Sequence, residues 1–269
     1  MNPKQEQLGP NHRFLAAVGA STMAPFWVAG AIVLLLPRAL VGLKERGWPA
    51  REVLRQAYSA GNRSVLLVAV TLASVGMILV YHGGLQAQRV LGDMSPVGPA
   101  FIQILLREFG PTIVGLMVAA RVGGGIAAEI GSMVVTEQID ALRMNAADPI
   151  RFLVTPRLIA VFLTTMALTV FGCAVAVASG AVTANVLFGV PHQSFLNLSM
   201  TEPGDLITGL IKAAAYGVYV PLAASWAGLS AGIGSEGVGR ATTSGVVVGS
   251  LGIIVLSSVI GAVTFAFGL

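Results

Sequence analysis

The spacing of its charges limits most severely what this chain can fold into. Uncharged runs occupy residues 14–37, 64–88, 158–201, 213–235 and 241–269. Each is longer than the ~20 residues that carry an α-helix across a bilayer. A sixth stretch, 109–133, is apolar apart from Arg121 and Glu129, and it reads as a span holding two functional candidates. Only 10% of the residues are charged, against about 25% in soluble domains, so a water-soluble globule is excluded. Spanning strands would show ~10-residue segments of alternating polarity, and a run such as LLVAVTLASVGMILV has none. The expected fold is therefore an all-α polytopic membrane protein.

Cys173 is the only cysteine, so an intramolecular disulfide or a multi-cysteine metal site is ruled out. The first apolar run fits a cleaved signal peptide poorly, being long and without a clear small-residue cleavage site. Orientation follows from Lys and Arg in short loops, which favour the cytoplasm. Residues 38–63 carry Arg38, Lys44, Arg46, Arg51, Arg55 and Arg63, and so read as a cytoplasmic loop. Spans near 64–86, 110–133, 158–187, 206–231 and 244–267 then alternate. They place 134–157 and 232–243 inside, 87–109 and 188–205 outside. The first run, interrupted by Pro25 and closed by Pro37, reads as an interfacial or re-entrant helix, with Phe26 and Trp27 at the membrane surface. Two units follow: an N-terminal cytoplasmic segment over 1–63 and a five-span permease domain over 64–269.

Two motif matches lack their context. Gly232, Gly234 and Gly237 spell GxGxxG but follow a membrane run instead of a strand. Gly228, Ser230 and Gly232 spell the hydrolase elbow GxSxG, which needs a strand-to-helix turn with His and acidic partners. There is no GxxxxGK[ST], so any nucleoside triphosphate that drives this chain is held by another subunit.

Charges inside spans are costly and mark function by default. Arg107 and Glu108 stand at a span entrance before Pro111. Arg121 and Glu129 lie eight apart around Gly123, Gly124 and Gly125, small residues that permit close helix approach. Asp205 and Lys212 lie seven apart at the start of the fourth span, where they pair with each other, snorkel, or line a polar opening. In TEQIDALRMNAADPIR, residues 136–151, Thr136 is the expected N-cap of a short helix that stops at Asp148-Pro149. Val135, Ile139 and Leu142 form one apolar stripe beside charges of mixed sign, which argues for docking on a protein over attraction to anionic lipid.

The block LLREFGPTIVGLMVAARVGGGIAAEIGSMVVTEQIDALRMNAADPIRFLVTPR, residues 105–157, together with GSEGVGRATTSGVVVGS, residues 234–250, resembles the MlaE/YrbE-type permeases of bacterial ABC transporters that work with MCE-domain proteins. The three consecutive glycines depart from a GAS- or GSA-like run in that family. The resemblance implies a homodimer in the bacterial inner membrane, with an N-terminal interfacial helix and five spans per subunit. It implies transport of phospholipids or related lipids between that membrane and a periplasmic MCE-domain protein, in systems tied to outer-membrane lipid asymmetry. ATP and Mg would sit on a separate cytoplasmic ATPase that docks on a coupling helix at 136–145, through Glu137, Gln138, Ile139, Asp140, Ala141 and Leu142. Arg107, Glu108, Asp205 and Lys212 match charged positions in the family, and with Arg121 and Glu129 they are candidates for the lipid path or for helix pairing. No covalent chemistry, resident cofactor or nucleic-acid partner is expected. The competing reading is an ion-coupled transporter or channel that uses Arg121, Glu129, Asp205 and Lys212 as a relay. A membrane esterase centred on Ser230 is the third.

Overall fold

The structure, a computed structural model, describes residues 10–43, 50–90 and 92–268. Among them there are helices and turns and no strand. The helices are α1 (Pro10–Leu43), α2 (Ala50–Val90), α3 (Val97–Val135), α4 (Gln138–Met144), α5 (Ile150–Phe188), α6 (His192–Phe195), α7 (Pro203–Leu229) and α8 (Gly234–Ala266). α2, α3, α5, α7 and α8 are each long and apolar enough to cross a membrane. The chain is a multi-pass membrane protein with five candidate spans, as the uncharged runs require.

The helices overrun those runs, because a helix can continue beyond the hydrocarbon layer when its polar residues support one another. α2 starts 14 residues before its uncharged run, so the stretch read as a loop over 38–63 is helical from Ala50 onward. The boundary placed between 63 and 64 lies inside this helix. Glu52 holds its first turns together, accepting from Arg55 Nη2 at 2.7 Å and from Gln56 Nε2 at 3.0 Å. α3 likewise begins at Val97, which moves Arg107 and Glu108 from an external loop into the body of a membrane helix.

α1 also differs from expectation. It runs through Pro25 and Pro37 to Leu43, with a shorter apolar section, Phe26–Gly42. A proline inside a helix removes one hydrogen bond, but here packing holds the far side in place. Ile32, Leu35 and Ala39 are buried against Val154, Leu158, Leu222 and Ala223, and the Thr155 hydroxyl donates to the Ala39 carbonyl at 3.1 Å. Phe26 and Trp27 stay exposed.

The core lies among α2, α3, α5, α6 and α7, around Leu72, Leu105, Val114, Phe195 and Tyr216. It is dense because small residues let backbones touch. A Cβ at Gly76 of α2 would lie 2.4 Å from the Ala176 carbonyl of α5, and one at Gly209 of α7 would lie 2.1 Å from the Leu106 carbonyl of α3. α8 packs only one stripe, Ala241, Gly245, Gly249 and Ile253, spaced four apart as one helix face requires.

This packing separates glycines that must be small from those that need not be. Gly76→Val is expected to force α2 off α5 and destabilise the protein by about 1–3 kcal/mol, the range for overpacking. Gly125→Ala meets nothing within 4 Å and should be neutral or stabilising by up to about 1 kcal/mol through helix propensity. Thermal unfolding of the two variants in detergent checks the contrast; equal melting temperatures would refute it.

Candidate functional site

The polar residues of α3 sit where its helix widens. Pro111 has no N–H to give the carbonyl four residues earlier, and the chain responds with a π turn over Leu105–Phe109, in which Gly110 N–H reaches the Leu105 carbonyl. A second π turn spans Ala119–Gly123, with Gly124 N–H on the Ala119 carbonyl. Such turns add a residue to the helix and occur often at functional sites. Here the first carries Arg107 and Glu108, and the second carries Arg121.

From the first π turn, two ion pairs cross to α7. Arg107 Nη1 donates to Asp205 Oδ1 at 2.9 Å, and Lys212 Nζ donates to Glu108 Oε1 at 2.5 Å. Asp205 is fully engaged: Gln103 Nε2 and the Glu202 backbone N–H donate to its other oxygen at 3.2 and 3.1 Å. Its carboxylate also completes a capping box at the start of α7 with Glu202. Asp205 and Lys212 therefore do not pair with each other, as one sequence reading had it. Their shared face of α7 meets α3, which offers each an opposite charge. Lys212 is fully buried, ruling out snorkelling, while Glu108 is half exposed. Apolar hollows flank this cluster. One, of about 580 Å³, is lined by Leu106, Cys173, Val177, Leu206 and Leu210. Another, of about 510 Å³, is lined by Leu79, Val97, Phe101, Ile104 and Phe109.

The second π turn and the end of α3 form a separate polar group. Arg121 and Glu129 do not join each other. Arg121 Nη1 donates to Ser64 Oγ at 3.4 Å, and Glu129 pairs with Arg157 Nη2 at 3.0 Å. Arg157, in the stretch 134–157 that the charge pattern places in the cytoplasm, is only 4% exposed, with Nη1 on the Leu153 carbonyl at 2.9 Å. The available signal was its position directly before the uncharged run 158–201, after an acid one turn from the end of the preceding expected span. Of the three glycines, Gly123 faces Val220 and Gly124 faces Val246, while Gly125 faces open space. The charges thus form two clusters at opposite ends of α3, which does not favour a continuous ion relay.

Beyond α3 lies the short helix α4. Thr136, expected as its N-cap, instead closes α3: its hydroxyl donates to the Ser132 carbonyl at 2.9 Å and accepts from Gln138 Nε2 at 3.1 Å. Glu137 takes the N-cap position in the left-handed region, φ 59°, and makes no side-chain cap. The tight reversal leaves no room for the extended backbone an N-cap threonine adopts. Within 136–145 the helix itself is Gln138–Met144. Ile139 is buried and Leu142 half-buried, so they anchor the helix, while Glu137, Gln138, Asp140 and Ala141 face outward. Met144, absent from the sequence reading, is 84% exposed beside them. The remaining motif matches lie in the turn between α7 and α8. Gly234 there has φ +74°, and a Cβ at Gly237 would strike the Gly232 carbonyl. A helix, α7, precedes both GxGxxG and Ser230, where the two motifs require a strand.

Removing one member of a buried pair strands its partner. Lys212→Ala is expected to cost about 3 kcal/mol, the low end for such pairs because Glu108 is partly exposed. The double variant Glu108→Gln/Lys212→Met should recover much of that loss. Thermal denaturation of the three proteins tests this, and a double variant no better than the single one would refute it.

The family model described as Permease MlaE matches residues 53–263. A probable ABC transporter permease protein of Rickettsia felis is 37% identical over 217 residues, covering 79% of this chain and 83% of that protein. The intermembrane phospholipid transport system permease protein MlaE of Haemophilus influenzae is 31% identical over 261 residues, 95% of this chain and 98% of that one. The chloroplastic protein TRIGALACTOSYLDIACYLGLYCEROL 1 of Arabidopsis thaliana is 32% identical over 241 residues, 88% of this chain and 66% of that one. Because the matched region takes in both charge clusters, the short helix and nearly all of the five spans, this chain belongs to the MlaE permease family and is a transport subunit, not an enzyme.

Proposed function

We propose that the chain is the membrane subunit of an ABC transporter that moves phospholipids or related lipids between the bacterial inner membrane and a periplasmic MCE-domain protein. The observation that carries this is the nearly full-length likeness to a phospholipid transport permease. Two copies of the chain enclose an apolar path, to which the hollows beside the Arg107–Asp205 and Glu108–Lys212 pairs contribute walls. ATP and Mg are bound by a separate cytoplasmic ATPase seated on α4. Glu137, Gln138, Asp140 and Ala141 are the contact residues, Met144 adds an apolar one, and Ile139 with Leu142 ties the helix to the permease.

The mechanical logic supports the docking site. α4 follows α3 after only two residues, so a push on α4 acts on the rod that carries both π turns. A rigid-body shift of this kind couples a nucleotide site to a distant cavity without a chemical step in the permease. The buried charge pairs give α3 and α7 a defined register from which to move.

Docking through α4 makes a specific prediction. Glu137→Lys and Asp140→Lys are expected to abolish co-purification of the ATPase and its lipid-dependent ATP turnover. Glu137→Gly, which suits the left-handed backbone, should keep the fold and weaken assembly only modestly. Unchanged assembly in both lysine variants, read by affinity co-purification, would refute the assignment of α4.

A further inference from the structure

The hollows near Arg107 are apolar; the cleft at the other end of α3 is not. It measures about 200 Å³ and opens between α2, α3 and α5. α2 contributes Gln56, Ser59, Arg63 and Ser64, and α3 contributes Arg121 and Glu129. Arg63 makes no hydrogen bond or ion pair among the described residues, and Arg121 makes only the 3.4 Å bond to Ser64. Behind Glu129, the Nε of buried Arg157 has no partner. Of the three guanidinium groups, only that of Arg157 is paired with the one carboxylate of this region, Glu129. Glu52 and Arg55, further along α2, satisfy each other and leave this surplus unchanged.

The level of the cleft matters as much as its charge. Arg63 is the last charge before the uncharged run 64–88, so the mouth lies where the hydrocarbon begins. The cleft floor passes over Gly125, where a Cβ would meet nothing within 4 Å. Two arginines reaching for the interface would explain the charge by snorkelling alone. That does not account for the concavity or for the polar wall of Gln56, Ser59 and Ser64. Forked, permanently charged donors at the membrane boundary suit a phosphate oxyanion, and an apolar body attached to that phosphate would remain in the bilayer.

We propose that this cleft binds the phosphodiester of a phospholipid headgroup from the leaflet on the α4 side. Arg63 and Arg121 bind the phosphate, Glu129 forms the back wall with Arg157 paired behind it, and Gly125 keeps the floor open. The proposal rests on the lipid-permease reading and adds a headgroup position separate from the Arg107–Lys212 cluster, about 20 Å along α3 at 1.5 Å per residue.

The test uses the transporter complex purified through the full-length chain, in phosphatidylcholine vesicles doped with phosphatidylglycerol bearing a photoactivatable headgroup. Crosslinks mapped by mass spectrometry are expected within 56–64 and 121–129. Labelling there should fall about tenfold in Gly125→Leu, which fills the floor, and in Arg63→Gln/Arg121→Gln, which removes the forked donors. Arg121→Lys, which keeps the charge, should lose part of it. Gly125 faces open space and Arg63 is exposed, so these variants should fold, and unchanged melting temperatures verify it. Labelling that survives both sets of changes, or falls elsewhere, overturns the proposal. Labelling displaced by excess inorganic phosphate overturns it too, by assigning the cleft to a soluble anion. Lipid transfer measured on the same samples separates the two readings. A labelled cleft without any transfer rejects the permease reading and leaves the headgroup site standing, whereas normal transfer with an unlabelled cleft rejects the site alone.

Discussion

A charge inside a membrane helix needs an opposite charge or another polar group on a neighbouring helix, because little water is there to solvate it. In this protein that requirement is met by Arg107 with Asp205 and by Glu108 with Lys212. These pairs set the register of α3 against α7, and much of the arrangement depends on it. Gly209 must be a glycine because that register brings it against the Leu106 carbonyl. Asp205 is at once an ion-pair partner and the cap that starts α7, so one carboxylate decides both where a span begins and which helix it faces.

The π turns make this possible. An unbroken α-helix would present each face at a fixed angle; the extra residue in Leu105–Phe109 and in Ala119–Gly123 shifts the face before and after it. α3 thereby turns its polar residues toward α7 at one end and toward α2 and α5 at the other, while Val114 and Val118 between them stay in the core. A long rod with polar stations at both ends and a short helix attached is suited to carry movement from one side of a membrane to the other. Reading this chain as a lipid permease gives each station a use: apolar hollows beside one, an anion-sized cleft at the other.

Much of this was legible from residue order. The five spans, the short helix between the second and third, and the six candidate charges in or beside the spans follow from hydropathy and charge spacing. The family resemblance over 105–157 and 234–250 was carried by side chains that need no structure to recognise. Three things were not legible. The polar turns that lengthen α2 lie outside the uncharged run, where hydropathy carries no signal. Glu137, in the left-handed region, takes the N-cap position expected of Thr136, because the reversal is decided by how α3 ends. Arg157 looked like a loop charge, since its burial depends on Glu129 arriving from another helix.

The sequence by itself determined how many times the chain can cross a membrane, which residues would be costly there, and that it carries no GxxxxGK[ST] motif. These are properties of single segments, set by transfer from water and by the absence of a motif. Only the tertiary structure decided the partners: Asp205 with Arg107 and not with Lys212, Glu129 with Arg157 and not with Arg121. Pairing depends on which faces two helices turn toward each other, and at α3 that is governed by the π turns and the close glycine contacts, neither of which a helical wheel of one segment contains.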